Sequence, residues 1–297
     1  MYALTNGIGI SGKTTGNFGI LELIMTNPTE LLRSRYGEIP FNPEIEWNDS
    51  LTALLSHRSI RSYLSHPLPP GTLELLIAAA QSASTSSNLQ TWSVVAVEDQ
   101  QRKEELSKLA GNQAHIKQVP LFLVWLADLA RLSYVADSRG ISHDALEYLE
   151  MFVMATIDAT LAAQNATVAA ESLGLGTVYI GGIRNHPQQV AEILNLPSSV
   201  YAVFGLCVGY PNPEIEAAIK PRLPQSAVLH RETYKLADQE EAIAHYNEII
   251  KEFYTEQKMN VPGDWSEHSA QRIATVESLR GRDRLREVLN HLGFKLL

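Results

Sequence analysis

A single cysteine, Cys207, in 297 residues leaves no mate for an internal disulfide. It lies in the apolar run Phe204 to Val208, which reads as a buried strand, where a thiol is more often a small hydrophobe than a nucleophile. A reducing cytosol is the simplest setting for such a chain. Long apolar runs are missing too. Nothing approaches the ~18 residues of a membrane-spanning helix, and the patch Phe18 to Met25 is interrupted by Glu22 with no small-residue cleavage site after it. The expectation is a soluble, cytoplasmic protein. Positive charge is in short supply, with 24 basic against 33 acidic residues, which argues against a duplex-sized basic surface but leaves room for a local basic pocket. The histidines show no His-Glu-x-x-His or paired-ligand spacing, so no metal site is expected. No internal repeat or low-complexity linker divides the chain.

The content of hydrophobic residues, 45%, is ordinary for a packed globular protein, and a chain of this length buries a large core without staples. Residues 1–24 are rich in Gly, Thr and Asn with weak periodicity, and Met25 would serve as a start, so a loosely ordered leader is expected there. Within it, Gly7 to Thr14 satisfies the Walker A pattern letter for letter. A phosphate cradle of that kind needs a buried strand before it, and only Met1 to Asn6 are available. A P-loop nucleotidase therefore stands as a minor alternative.

From about Glu46 the pattern becomes orderly. Asn48, Asp49 and Ser50 offer N-caps for a short helix carrying Leu51, Leu54 and Leu55, which delivers His57 to Arg61 at its end. Thr72 can cap a second helix, with Leu73, Leu76, Ile77 and Ala80 on one face. Four nearly continuous apolar strands follow, Trp92 to Val97, Val119 to Ala127, Thr177 to Ile183 and Tyr201 to Val208, a pattern that suits a sheet covered on both faces. Ala145 to Leu173 reads as a long alanine-rich helix, suited to the core or to a subunit interface and closed by Gly174 and Gly176. A helix with Pro187 in its first turn comes next, then a strand around Ala227 to Leu229 and two amphipathic helices with no sheet of their own to cover.

The chemistry-bearing residues are His57, Arg58, Ser59 and Arg61, the turn Ser84 to Gln90, the pair Gly181 and Gly182 at a strand end, and Lys220 and Arg222. Guanidinium, ammonium and hydroxyl groups suit phosphate oxygens, so a phosphorylated cofactor is the first hypothesis. Flavin mononucleotide (FMN) accounts for most of them at once. His57, Arg58, Ser59, Lys220 and Arg222 would hold the phosphate and ribityl chain, with Arg61 nearer the ring to stabilise negative charge at its pyrimidine end. Gly181 and Gly182 would let backbone N–H groups approach a planar ring edge. Each residue also has a plain explanation. Arg58 and Arg61 suit a helix C-terminus, the serines suit a solvated turn, and the glycine pair suits a bulge.

Six segments in order carry a more specific likeness: His57–Tyr63 (HRSIRSY), Ser84–Gln90 (STSSNLQ), Gly111–Ile116 (GNQAHI), Ala169–Asn185 (AAESLGLGTVYIGGIRN), Phe204–Pro211 (FGLCVGYP) and Lys220–Pro224 (KPRLP). Together they resemble the nitroreductase superfamily, in particular its oxygen-insensitive NADPH nitroreductase and NADPH–flavin oxidoreductase group. The resemblance implies an α+β fold with a central mixed or antiparallel sheet flanked by helices, an intertwined homodimer, and an FMN in each of two interfacial pockets. It adds Gln90, Gln113, His115 and Tyr179 to the expected FMN contacts. It implies a ping-pong reaction in which NADPH or NADH is the donor and nitroaromatics, quinones or free flavins are the acceptors. A flavin-binding or delivery protein with little turnover is the alternative. The implied organisation is an N-terminal extension, 1–46, an FMN-binding core, 47–227, and a C-terminal extension, 228–297, packing on the core and on a second subunit. One departure stands out: where the group places arginines for the 2′-phosphate of NADPH, the loop Thr255 to Asp264 has Lys258 as its only cation, so a relaxed donor preference is expected.

Overall fold

The computed structural model describes residues 27–41 and 46–297. The Walker-like stretch 7–14 and the rest of 1–24 lie outside the described residues. The first helix, α1 (Pro28–Tyr36), is capped by Asn27, whose side chain accepts from the Thr29 N–H at 2.9 Å, and it stops at Gly37 in the left-handed region. Helix α2 (Asp49–Leu55) takes Asn48 as its cap, the side chain accepting from the Leu51 N–H at 3.0 Å. Helix α3 (Thr72–Gln81) departs from expectation: its cap is Gly71 at φ 85, and Thr72 is already its first helical residue.

The sheet has four strands, β1 (Trp92–Val97), β2 (Leu121–Asp128), β3 (Gly176–Ile180) and β4 (Val200–Gly209), in the order β1-β2-β4-β3, with every pairing antiparallel. A single parallel bridge, Ser59 to Thr177, lies outside it. Alternate residues of β2 enter different cores, as strand geometry requires. Leu121, Leu123, Trp125 and Ala127 join one cluster, and Phe122, Val124 and Leu126 join the other. The first cluster lies under α3, the long helix α7 (Leu149–Ser172) and the last helix α12 (Leu285–His291). The second lies under α4 (Gln100–Leu109), α5 (Ala114–Gln118) and α8 (Pro187–Leu194). Both faces are therefore covered.

Helix α7 reaches the sheet through Ala155, Ala159, Ala162, Ala163, Ala166 and Ala170, all fully buried. Methyl side chains let its backbone approach closely. Its opposite face leaves Leu149, Val153, Ile157 and Leu161 exposed at the four-residue spacing that makes one stripe. The segment expected as one helix from Ala145 is broken: a 3₁₀ turn over Asp144–Glu147 precedes α7. The strand expected around Ala227 is instead a single helical turn, α9 (Gln225–Val228), since Pro224 and Pro221 fix the chain entering it. Between β2 and α7 lies α6 (Ala130–Ser138). Helices α10 (Glu240–Glu256) and α11 (Trp265–Ile273) share a small core of their own, Tyr246, Ile250 and Tyr254 with Trp265, whereas Leu289 and Phe294, in and after α12, join the main core. No helix of the described residues is long and apolar enough to cross a membrane.

Candidate functional site

The segment His57 to Arg61 leaves α2 and runs along the open edge of β3, where the Ile60 N–H donates to the Thr177 carbonyl at 2.9 Å. Gly176 makes this approach possible, because a Cβ there would stand 2.6 Å from Ile60 Cγ1. His57 Nδ1 sits 2.8 Å from Glu171 Oε1, which also accepts from the Thr177 hydroxyl at 2.6 Å. Glu171 thereby fixes the imidazole ring and leaves Nε2 for a ligand.

Arg35 ties this segment to the second basic cluster. Its guanidinium, in a residue only 7% exposed, donates to the carbonyls of Lys220 (2.8 Å), Leu55 (3.0 Å) and His57 (2.9 Å). In return the Arg222 N–H donates to the Arg35 carbonyl at 2.8 Å. Helix α10 braces the same loop: Tyr246 donates its hydroxyl to the Pro221 carbonyl at 3.0 Å, and the Lys220 ammonium stands 5.4 Å from the centre of the Tyr254 ring. Burial, then Arg61 and Arg222, lower the pKa of Lys220, so these three cations share one region. Burial and Arg61 likewise lower the pKa of His115, whose Nε2 is buried without a hydrogen bond. Among the described residues Arg61, Lys220 and Arg222 form no ion pair. An uncompensated cationic patch beside an orphaned imidazole nitrogen suits an anionic, hydrogen-bonding ligand.

Within the pair, Gly182 also meets a packing requirement of its own. A Cβ on Gly182 would stand 2.4 Å from the Ala110 carbonyl oxygen and 2.8 Å from Gln113 Nε2. Its missing side chain admits the Gln113 amide, which donates to that carbonyl at 2.9 Å. Tyr179 turns its ring toward α7, where Thr167 donates to its hydroxyl at 3.0 Å. Only its backbone is left for a ligand. Strand alternation points the Tyr179 peptide groups to the same open edge as the Thr177 carbonyl.

The remaining predicted residue lies elsewhere in this chain. Gln90, at φ 51, offers its carbonyl to Arg131 at 2.8 Å, and its turn is anchored by Asp158 of α7. That buried carboxylate accepts from Thr85 and from the backbone N–H groups of Ser86 (3.1 Å) and Thr91 (3.3 Å). The turn leads into β1, and β1 and β3 are the two outer strands. Ser59 lies one strand spacing beyond β3, which separates Gln90 from it by roughly 19 Å across the sheet and roughly 20 Å along it. The cavity beside Arg58, Ile60, Glu171 and Gly176 measures about 190 Å³, below the ~300 Å³ of a small-molecule pocket.

Sequence reasoning missed Arg35, Asp158 and the role of Glu171. A carboxylate in an alanine-rich helix was the available signal for Asp158 and Glu171, since such a group needs a donor when buried. Nothing in the sequence signals Arg35.

The helix-covered antiparallel sheet and its cationic patch define an α+β protein suited to an anionic ligand, and comparison with known proteins makes the assignment specific. The profile of the Nitroreductase family matches residues 54–210, and that of its C-terminal domain matches residues 220–297. The chain belongs to the nitroreductase family. An FMN reductase (NADPH) of Bacillus subtilis is 40% identical over 251 residues, 83% of this chain and 98% of that one. An oxygen-insensitive NADPH nitroreductase of Salmonella typhimurium is 40% identical over 223 residues, 74% of this chain and 88% of that one. Among solved structures, the NADPH:FMN oxidoreductase of Vibrio harveyi complexed with NAD+ superposes with a TM-score of 0.72 at 32% identity, covering 84% of this chain and 99% of that one.

Proposed function

We propose that this protein is an FMN-dependent NAD(P)H oxidoreductase, a homodimer that reduces nitroaromatics, quinones or free flavins. The observation that carries the reading is the convergence of Arg61, Lys220 and Arg222 with His57 and Ser59 at the open edge of β3, held together by Arg35. Lys220, Arg222, Arg58 and Ser59 would hold the phosphate and ribityl chain, and His57, oriented by Glu171, would donate from Nε2. Arg61 would supply positive charge at the pyrimidine end, with His115 and the backbone of Tyr179, Gly181 and Gly182 at the ring edge. When bound, FMN accepts a hydride from the nicotinamide donor and delivers two electrons to the acceptor.

Gln90 supports a site shared between subunits. Its turn is too far from the cations of its own chain, and the exposed stripe Leu149, Val153, Ile157 and Leu161 supplies an apolar face for the second copy. A cytoplasmic location accords with the buried, lone Cys207, whose pKa burial raises.

The test is an anaerobic absorbance titration of the FMN-reconstituted protein with NADPH and, separately, NADH. Bleaching of the flavin band is expected. A bound flavin that neither donor bleaches would make the protein a flavin carrier, and absence of flavin binding would end the reading.

A further inference from the structure

Glu171 is the penultimate residue of α7, where the negative end of the helix dipole disfavours a carboxylate. Two donors hold it there. Its Oε1 accepts from the Thr177 hydroxyl at 2.6 Å, and Nδ1 of His57 stands 2.8 Å from Oε1 and 3.1 Å from Oε2. A nitrogen shared between both oxygens of a carboxylate is the donor, because an ionised carboxyl group only accepts. Nδ1 therefore carries a proton. The other ring nitrogen, Nε2, makes no hydrogen bond among the described residues, and the side chain is 28% exposed, so a ligand can reach it.

In a neutral imidazole one nitrogen donates and the other accepts. With the proton on Nδ1, Nε2 turns a lone pair toward any phosphate oxygen beside it, and that oxygen also only accepts. An N–H at Nε2 then requires the doubly protonated ring. The charges around His57 decide when that ring forms. Glu171 favours it from α7. Arg35 of α1, whose guanidinium donates to the His57 carbonyl at 2.9 Å, opposes it, as do Arg58, next in the chain, and the group of Arg61, Lys220 and Arg222 on the far side of Arg35. Tyr63 and Tyr179 also lie in the field of Glu171, but burial raises both phenols, which stay neutral. The cations thus outnumber Glu171 until a phosphate dianion arrives and tips the balance toward the charged ring.

We infer that Glu171 is a positioning residue that commits His57 to bind FMN as an imidazolium, so that FMN enters together with a proton taken from solvent. The inference rests on the proposed function and deepens it at the same site. The free and the flavin-loaded protein then differ by one proton, carried on Nε2 of His57. Affinity is full at a pH where the free protein already holds that proton, and it falls by up to about tenfold per unit as the pH rises beyond.

The experiment titrates the full-length, flavin-free protein with FMN by calorimetry, in two buffers of different ionisation enthalpy, whose difference in heat counts the protons taken up. At about pH 8 the phosphate of free FMN is already a dianion, its second pKa being about 6, so the ligand brings no proton of its own. The expected uptake is about 0.5–1 proton per FMN in the wild type and less than about 0.2 in H57Q. In E171Q the amide oxygen can accept from Thr177 while the NH2 group donates to Nδ1, which returns the proton of a neutral ring to Nε2. E171Q should therefore bind FMN with less than about 0.2 proton taken up, and weaken less than about twofold between about pH 7.5 and 8.5, where the wild type weakens about fivefold. A merely structural role would weaken binding at every pH and leave the proton count unchanged. H57Q keeps the comparison open if E171Q fails to fold. Tight FMN binding by the wild type with no proton taken up overturns the inference and leaves the reductase reading standing, since a ribityl hydroxyl can donate to a bare Nε2. Uptake undiminished in H57Q or in E171Q also overturns it, and places the proton on another group such as Lys220. Absence of FMN binding ends the reductase reading itself, so the two failures are distinguishable.

Discussion

Replacing Arg35 by methionine removes a guanidinium and keeps most of the apolar stem. The lost group makes three hydrogen bonds, to Lys220, Leu55 and His57, so the change uncouples the two basic segments of the site from one another. Each hydrogen bond from a charged donor contributes about 1.5–3 kcal/mol, and the cost of burying a guanidinium without a carboxylate offsets a large part of the sum. A net loss of about 3 kcal/mol is expected. For a chain of this size that is a fall in melting temperature of roughly 6 °C. FMN affinity should fall about tenfold to a hundredfold, because the residues proposed to hold its phosphate on the two segments no longer share one geometry. R35K should recover less than half of either loss, since one ammonium cannot span three carbonyls. Calorimetric melting of the apoprotein and titration of FMN by fluorescence quenching measure both. An R35M protein that melts within about 1 °C of wild type and binds FMN with unchanged affinity would refute the reasoning.

Gly182→Ala should lower the melting temperature and weaken FMN binding, because the new methyl group collides with the Ala110 carbonyl at 2.4 Å. Gly181→Ala, whose Cβ would lie 3.5 Å from Arg184, should melt near wild type, and indistinguishable melting of the two variants would contradict this packing account. The pKa of His115 is lowered by burial and by Arg61, so the unfolded chain protonates there more readily than the folded one. Its contribution to stability is therefore complete above about pH 6.5 and is lost as the pH falls from there toward the lower folded value. His115→Gln should flatten the stability profile between about pH 7 and pH 5 in urea unfolding, and parallel profiles would count against it. Ile157→Glu combined with Leu161→Glu puts charge into the exposed stripe of α7, where the two positions are 52% and 43% exposed. Sedimentation should show monomers with FMN lost in parallel, and FMN-loaded monomers would show that Gln90 of a second copy is not needed.

The short-range pattern determined much of this protein. The apolar runs marked all four strands of the sheet, and the asparagine at position 48 marked the start of α2, because burial of a strand and capping of a helix are written in neighbouring residues. The order of six segments was enough to assign the family. Strand and helix ends slipped where the deciding contact was distant. Ile180 ends β3 because the next residues turn into a 3₁₀ segment whose Arg184 reaches β4, and Ala227 is helical although its apolar neighbours suited a strand.

Only the tertiary structure decided what holds the site. Arg35 lies 22 residues from His57 and 185 from Lys220 in sequence, and its bonds go to backbone carbonyls, which every residue type possesses, so no side-chain pattern advertises them. The same holds for Asp158, which supports the serine-rich turn across 67 to 73 residues, and for Gly182, whose partner is a carbonyl of Ala110. The sequence states which charges are present. Which of them remain unpaired depends on long-range packing, and that placed Arg61 with Lys220 and Arg222 and set Gln90 on the far edge of the sheet.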